Sequence, residues 1–352
     1  MTRRRYLKTT LTAMLMLSAI GTWWVMPAHM STKAEDNPTL PVVAPPAPLT
    51  AQRARSAFSI RYKDVESPFS TTSALLLPGE ELLLEAVSTD VNDTFEVHAS
   101  RGTLLRTGVS TWSWIAPRVP GIYPIAVTNA VQSSITLNGL VMVPHRASRN
   151  SINGYPIGFY PKRPFKNNPI YLPPKGLVEV TEANKDVFLT PHFQLGQFVC
   201  KQKTTFPKYL VVNERLLLKL DMIVEELNRL GHSVSSLHVM SGYRTPAYNA
   251  SLKNVRYSMH QFGYAADIFV DESPRDGFMD DLNGDGRVDC QDAEVITSII
   301  AGMDQNELYR DYQGGLGRYS TDKWHGPFVH VDVRGWGARW GLQPRTQQVA
   351  MR

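Results

Sequence analysis

SMHQFGYAADIFVD, Ser258–Asp271, and PFVHVDVRG, Pro327–Gly335, are the stretches of this 352-residue sequence on which its reading turns. In the first, His260 and Asp267 stand seven residues apart around Gly263. That is too far for one helical turn and natural for a loop that carries the histidine into a strand carrying the aspartate. Gly263, Ala265 and Ala266 keep the turn slim, and Ile268, Phe269 and Val270 read as a buried strand. In the second stretch Val329, Val331 and Val333 alternate with His330 and Asp332, so the polar pair shares one face of a second strand. His260, Asp267 and His330 form a candidate zinc triad: imidazole and carboxylate at roughly 2.0–2.2 Å suit zinc, and three protein ligands leave a position for water. With only Cys200 and Cys290 in the chain, a four-cysteine cage is excluded.

The pattern S-x-H-x-x-G-x-A-x-D, met by Ser258, His260, Gly263, Ala265 and Asp267, resembles the signature of the zinc D-alanyl-D-alanine carboxypeptidases and related muramoyl-peptide metallopeptidases. These share a fold with the lysostaphin-type peptidases and the hedgehog signalling domain. SGYRT, Ser241–Thr245, is similar to the family segment that supplies a substrate-facing arginine, here Arg244, and TPHFQLGQFVC, Thr190–Cys200, is similar to its opening segment. The resemblance spans roughly residues 150 to 345. It implies a zinc peptidase acting on peptidoglycan stem peptides or cross-links, as carboxypeptidase or endopeptidase. Arg244 would face the oxyanion or a substrate carboxylate, with Ser258 and Trp324 on the substrate side; core packing is the other role open to Trp324.

One position departs from the family. Many relatives carry Glu or Asp three residues before the last ligand, where this chain has Pro327; some carry a histidine five residues before it, where this chain has His325. His325 and Asp332 are the two candidates for proton transfer. A group titrating near neutrality favours His325, and Asp332 has the alternative role of hydrogen-bonding a ligand histidine. The competing function is a non-catalytic zinc- and calcium-bearing cell-envelope binding module, in which Pro327 marks loss of the base. His98, His145, His192, His232 and His238 read as structural polar groups.

Between the zinc ligands lies DLNGDGRVDCQD, Asp281–Asp292. Asp281, Asn283, Asp285, Asp289 and Asp292 fall at loop positions 1, 3, 5, 9 and 12 of an EF-hand-type calcium loop, with Gly286 at the sharp turn and the Arg287 carbonyl at position 7. Val288 is the expected apolar anchor, and Ala293, Ile296, Ile299 and Ile300 give an exiting helix an apolar face. Ser273, Pro274 and Gly277 break any entering helix, as in the dockerin-type version. An acidic turn that binds no metal is the alternative.

The N-terminus, TRRRYLK followed by the apolar Leu11–Met26, reads as a twin-arginine-like export signal or an uncleaved membrane anchor over 1–30, placing the folded part in the periplasm or cell envelope. Lys and Arg total 37 against 32 Asp and Glu, but Arg3, Arg4, Arg5 and Lys8 belong to that segment, so no nucleic-acid partner is implied. Two cysteines in an exported chain permit a disulfide, with two free thiols as the alternative. A proline-rich linker covers 31–54. Strand-like runs over 55–145, separated by turns such as Pro78-Gly79 and Pro120-Gly121, suggest an all-β immunoglobulin-like sandwich. It is a spacer, or binds an envelope polymer or a protein. Residues 146–345 read as an α+β zinc-peptidase domain holding the calcium loop 281–292, followed by a tail, 346–352. Its clearest helix runs from Asn213 to Leu230, stopped by Gly231, and a second begins at Thr245 with Pro246 in its first turn.

Overall fold

Strands outnumber helices in the regular structure of the described residues. The computed structural model describes residues 54–341, all within one unit, Pro45–Arg352. The export segment, all but the last residue of the linker, and the C-terminal tail lie outside the described residues. The protein is mostly β-sheet, arranged in several sheets with few helices.

Nine strands come first: β1 (Arg55–Tyr62), β2 (Val65–Phe69), β3 (Thr71–Leu76), β4 (Glu81–Val87), β5 (Phe95–Ala99), β6 (Thr103–Arg106), β7 (Thr111–Ile115), β8 (Gly121–Asn129) and β9 (Ser134–Val141). They form two sheets, ordered β2-β1-β4-β7-β6 and β3-β9-β8-β5. The runs expected as strands from the sequence, Leu75–Leu77, Glu81–Val87, Phe95–Ala99, Trp112–Ile115, Tyr123–Val127 and Ile135–Val143, fall on β3, β4, β5, β7, β8 and β9; β1, β2 and β6 are additional. Alternate residues of β1 (Phe58, Ile60, Tyr62) and β4 (Leu82, Leu84, Ala86) are buried. The two sheets meet through Phe58 against Phe95, with ring centroids 5.0 Å apart, and through Trp114 against Gly139. A Cβ on Gly139 would lie 2.5 Å from the Trp114 ring, so only glycine admits the indole.

Short strands follow, β10 (Val143–Pro144), β11 (Ser151–Ile152), β12 (Tyr155–Pro156), β13 (Gly176–Val180), β14 (Phe188–Thr190), β15 (Phe193–Gln194) and β16 (Lys208–Leu210), as a three-stranded sheet β10-β13-β16 and the pairs β11-β12 and β14-β15. Polar contacts from β14 and from Glu214 of the helix Glu214–Arg229 join the first sheets to the rest. Ser73 Oγ donates to the Leu189 carbonyl at 2.8 Å, and Asn138 donates to the Phe188 carbonyl at 2.9 Å. One carboxylate oxygen of Glu214 accepts from Lys63 Nζ at 2.7 Å and from the Leu75 amide at 3.0 Å.

Helix α1 (Glu214–Arg229) starts where Asn213 caps the Arg215 amide and ends before Gly231, whose φ of +94° suits glycine. Leu216, Leu217, Leu220, Ile223, Val224 and Leu227 are buried, as the sequence spacing requires. Thr245 caps α2 (Pro246–Ser251), and Asp289 caps α3 (Cys290–Gln305). Among the described residues no helix is long and apolar enough to cross a membrane.

The last sheet orders its strands β17-β18-β20-β19-β21: β17 (His238–Ser241), β18 (Ala265–Phe269), β19 (Gly315–Tyr319), β20 (Phe328–Asp332) and β21 (Ala338–Gly341). Its pairs are antiparallel except β19 with β21. Ala266, Ile268, Val329 and Val331 are fully buried on the face that carries Arg318, which pairs with Glu294 of α3. Asp267, His330 and Asp332 point from the other face.

Candidate metal centre

The backbone around His260 is set by a short 3-10 turn, Met259–Phe262, closed by Gly263 at φ +77°. The Gly263 carbonyl accepts the Asn213 amide at 2.8 Å, and the His260 carbonyl accepts the Arg244 amide at 3.1 Å. These bonds aim His260 at the sheet. There Asp267 on β18 lies directly opposite His330 on β20, so their side chains meet. All three residues are buried.

Three atoms converge: His260 Nε2, His330 Nδ1 and Asp267 Oδ1. The imidazole nitrogens are 3.2 Å apart, His330 Nδ1 lies 2.9 Å from the carboxylate oxygen, and His260 Nε2 lies 3.2 Å from it. Ligands at about 2.0–2.1 Å from a tetrahedral ion stand about 3.3 Å apart, so this triangle has the size such an ion needs. Hydrogen bonding leads to the same conclusion. His260 Nδ1 faces the Gly242 carbonyl at 2.8 Å, a pure acceptor, and therefore carries the proton. His330 Nε2 faces Asp332 Oδ2 at 3.2 Å and carries its proton there. Once His330 Nδ1, 2.9 Å from Asp267, gives up its proton, both rings turn bare lone pairs toward each other and toward a carboxylate, an arrangement that a cation resolves. Among the described residues this is the only group of His, Cys, Asp and Glu whose ligand atoms converge in this way. The three residues can hold a metal ion.

Burial pushes His260 toward its neutral, ligating form. Burial also pushes the Asp267 carboxyl up, but the two histidines outweigh it and hold it well below the usual carboxylate range. His330 is pushed down by burial and lifted further by Asp267 and Asp332, so without metal it titrates above an ordinary histidine. A cation must displace that proton. Zinc affinity, measured by chelator competition, is therefore expected to fall about tenfold per pH unit once the pH drops below the His330 value. A flat profile across that range would contradict the assignment of His330 as a ligand.

Arg244 does not stand free. Its guanidinium pairs with Asp267 Oδ2, and its Nε donates to Ser241 Oγ at 2.8 Å. It thereby leaves Asp267 one oxygen for a cation. Asp332, expected as one of two proton-transfer candidates, is fully buried with both oxygens committed: Oδ1 accepts from the Gly315 amide at 2.7 Å and the Arg334 amide at 3.1 Å, while Oδ2 faces His330 and Arg334. Its burial raises the carboxyl, but His330 and Arg334 outweigh that and keep it ionised. Asp332 is the outer partner of His330. His325 bonds Gly326 and Asp322, and its ring stands edge-on to Phe328 at 4.8 Å, two residues from His330; it is not among the converging groups. Trp324 is 80% exposed, which removes the core-packing alternative. With His325, Phe278 and Val288 it lines a cavity of 570 Å³. Ser258 is buried at the start of the His260 turn.

In the Asp281–Asp292 loop the carboxylates turn onto backbone amides. Asp281 accepts from Gly284 at 2.8 Å and Gly286 at 2.7 Å, and Asp292 accepts from Leu282 and Asp289, both at 2.8 Å. Asn283 Oδ1 accepts from the Asp285 amide and Asp285 from the Arg287 amide. Val288, expected to anchor the loop, is 45% exposed; Leu282 packs against the core instead. The exiting helix buries Ala293, Ile296 and Ile300 as expected. Cys200 and Cys290 are free thiols. His192 pairs with Asp221 at 2.6 Å and His238 with Asp271 at 3.3 Å, outside the centre.

Two neighbours of the centre were not anticipated from sequence, Trp340 and Arg334. The Trp340 ring lies 5.0 Å from that of His330. It arrives by way of Gly317, which pairs with His330 on one side and Trp340 on the other. A Cβ on Gly317 would lie 2.4 Å from the indole nitrogen. The glycines of GGLG, Gly314–Gly317, are the signal that could have revealed this, since glycine inside a strand marks a close approach. No protein-family model matches this chain, and no curated protein is significantly similar to it.

Proposed function

We propose that this chain is an exported zinc metallopeptidase that hydrolyses peptide bonds in peptidoglycan stem peptides or cross-links. The observation that carries the reading is the triangle of His260 Nε2, Asp267 Oδ1 and His330 Nδ1, a three-ligand set that leaves a coordination position for water. Zinc bound there would acidify a water and polarise a carbonyl. Asp267 and the two histidines hold the ion, Arg244 confines Asp267 to one oxygen, and Asp332 orients His330. Proton transfer to the leaving amine falls to His325, whose loop borders the 570 Å³ cavity. The wall-peptide substrate rests on the motif resemblance alone. The nine-stranded N-terminal region is read as an immunoglobulin-like envelope module, and Asp281–Asp292 as a calcium loop that braces the cavity wall to which Asp281 and Val288 contribute.

A second reading, a zinc-bearing binding module without catalysis, is favoured by one fact: neither Asp332 nor His325 is free beside the triad. Mass spectrometry of purified muropeptides incubated with the protein decides between them. Cleavage that disappears with a zinc chelator and in His260→Ala is expected. Intact muropeptides under all conditions would leave the binding module.

A further inference from the structure

We propose that Arg334 is a positioning residue for the cation, fixing the imidazole of His330 through Asp332. The inference rests on the metal-binding reading of the triad and not on peptidase activity.

Arg334 lies just beyond β20, its backbone held by the Val333 amide on the Tyr264 carbonyl at 3.1 Å and the Gly335 amide on the Gln313 carbonyl at 2.9 Å. Its Nε stands 2.9 Å from both oxygens of Asp332, and its terminal nitrogen closes a fork onto Oδ2. The guanidinium carbon lies 5.2 Å from the Trp340 ring and 6.0 Å from that of Trp336. Trp340 is itself held, since its indole N–H donates to Tyr319 Oη at 2.7 Å. Gly315 and Gly317 give the ring its space, with would-be Cβ atoms 2.6 Å and 2.4 Å from it. One indole thus touches both His330 and the arginine that holds the partner of His330.

The consequence is a rigid sequence of contacts from solvent to the cation. Asp332 accepts the His330 Nε2 proton only while its carboxylate keeps its charge and its orientation. Gly315 and the Arg334 amide supply neutral donors to Oδ1; the guanidinium supplies the compensating charge. Without the fork the carboxylate keeps only the two amides on Oδ1, and nothing but His330 itself holds Oδ2 in the plane that meets Nε2. The centre also balances its charges in pairs, Asp267 with Arg244 and Asp332 with Arg334.

The test uses the full chain loaded with zinc or cobalt. Arg334→Gln is expected to weaken metal affinity by roughly 10–100-fold in chelator competition and to change the visible absorption of the cobalt form, in a metal-free chain that melts earlier than wild type but still folds cooperatively. Arg334→Lys restores the charge without the fork and is expected to recover only part of the loss. Arg339→Gln, on β21 of the same sheet, removes one partner of Asp304 in α3, which keeps Lys219, and should leave metal affinity unchanged. If Arg334→Gln does not fold, Arg334→Lys decides, because it keeps the charge beside Asp332 and removes the fork. Affinity and cobalt spectrum matching wild type in a folded Arg334→Gln, or in Arg334→Lys where the glutamine variant does not fold, would overturn the inference. So would a wild-type chain that binds neither metal. A chain that binds metal but cuts no muropeptide removes the peptidase and leaves Arg334 in its role.

Discussion

Asp267→Asn is expected to lose the cation and, in the metal-free protein, to unfold about 3–5 kcal/mol more easily, at the lower end if solvent reaches the pair. The substitution keeps shape and removes charge. Asp267 is 3% exposed and serves three cationic or ligating groups at once: Arg244 on Oδ2, His260 and His330 on Oδ1. An amide leaves Arg244 without a counter-charge in a site where its side chain is only 14% exposed. Urea unfolding in the presence of chelator measures the stability; zinc titration measures the ligand loss. The pH dependence carries a sign. The folded-state value of Asp267 is depressed, so its contribution is complete above the ordinary aspartate value of about 3.9 and is lost as pH falls toward the folded value. His330 is raised, so its contribution is present below about 6.5 and fades as pH rises through the folded value. The gap between wild type and Asp267→Asn should therefore be widest in mildly acid solution and narrow on both sides. Equal stabilities at every pH would show that the carboxylate is not the hub of the site.

How much of this site could be seen beforehand depended on whether a residue's neighbour was set by local chain geometry. The strand alternation of Phe328–Asp332 alone puts His330 and Asp332 on one face, and Gly263 alone announces the tight turn after His260. Those elements were legible. Trp340 was not, because its contact with His330 needs a parallel β19–β21 pairing in a register that places Gly317 between them. His325 was placed by counting back from the last ligand, but counting along a loop does not fix direction. Asp322 captures the His325 amide and faces its ring, and Phe328 supports that ring. In the N-terminal sheets, β2 hides behind Pro68, a residue that argues against a strand, and β6 is a four-residue edge strand. Val288 failed as an anchor since position in a loop motif says nothing about whether a core lies beneath it.

Gly263→Ala should weaken metal binding more than tenfold although Gly263 is not one of the three ligand residues. Its φ of +77° costs an L-residue about 1–2 kcal/mol in backbone strain. Strain is the smaller part. A Cβ there would lie 2.6 Å from the Val211 carbonyl oxygen and 3.0 Å from the Val212 amide nitrogen, both backbone atoms just before α1. No rotamer relieves that contact, so the turn must move, and with it the carbonyl of Gly263 that holds Asn213, the cap of α1. His260 is three residues upstream in the same turn, and its nitrogen must stay within tenths of an ångström of its place to complete the triangle. Gly286 separates the two contributions: its φ is +80°, but nothing stands within 4 Å of its would-be Cβ. Gly286→Ala is expected to cost only the strain, about 1–2 kcal/mol, with zinc affinity unchanged. Gly263→Ala is expected to exceed that cost by at least about 1–3 kcal/mol and to lower zinc affinity by more than tenfold. Thermal melting and chelator competition on the two variants test this together. If both variants lose the same stability and both keep zinc, the close backbone approach at Gly263 does not control the position of His260.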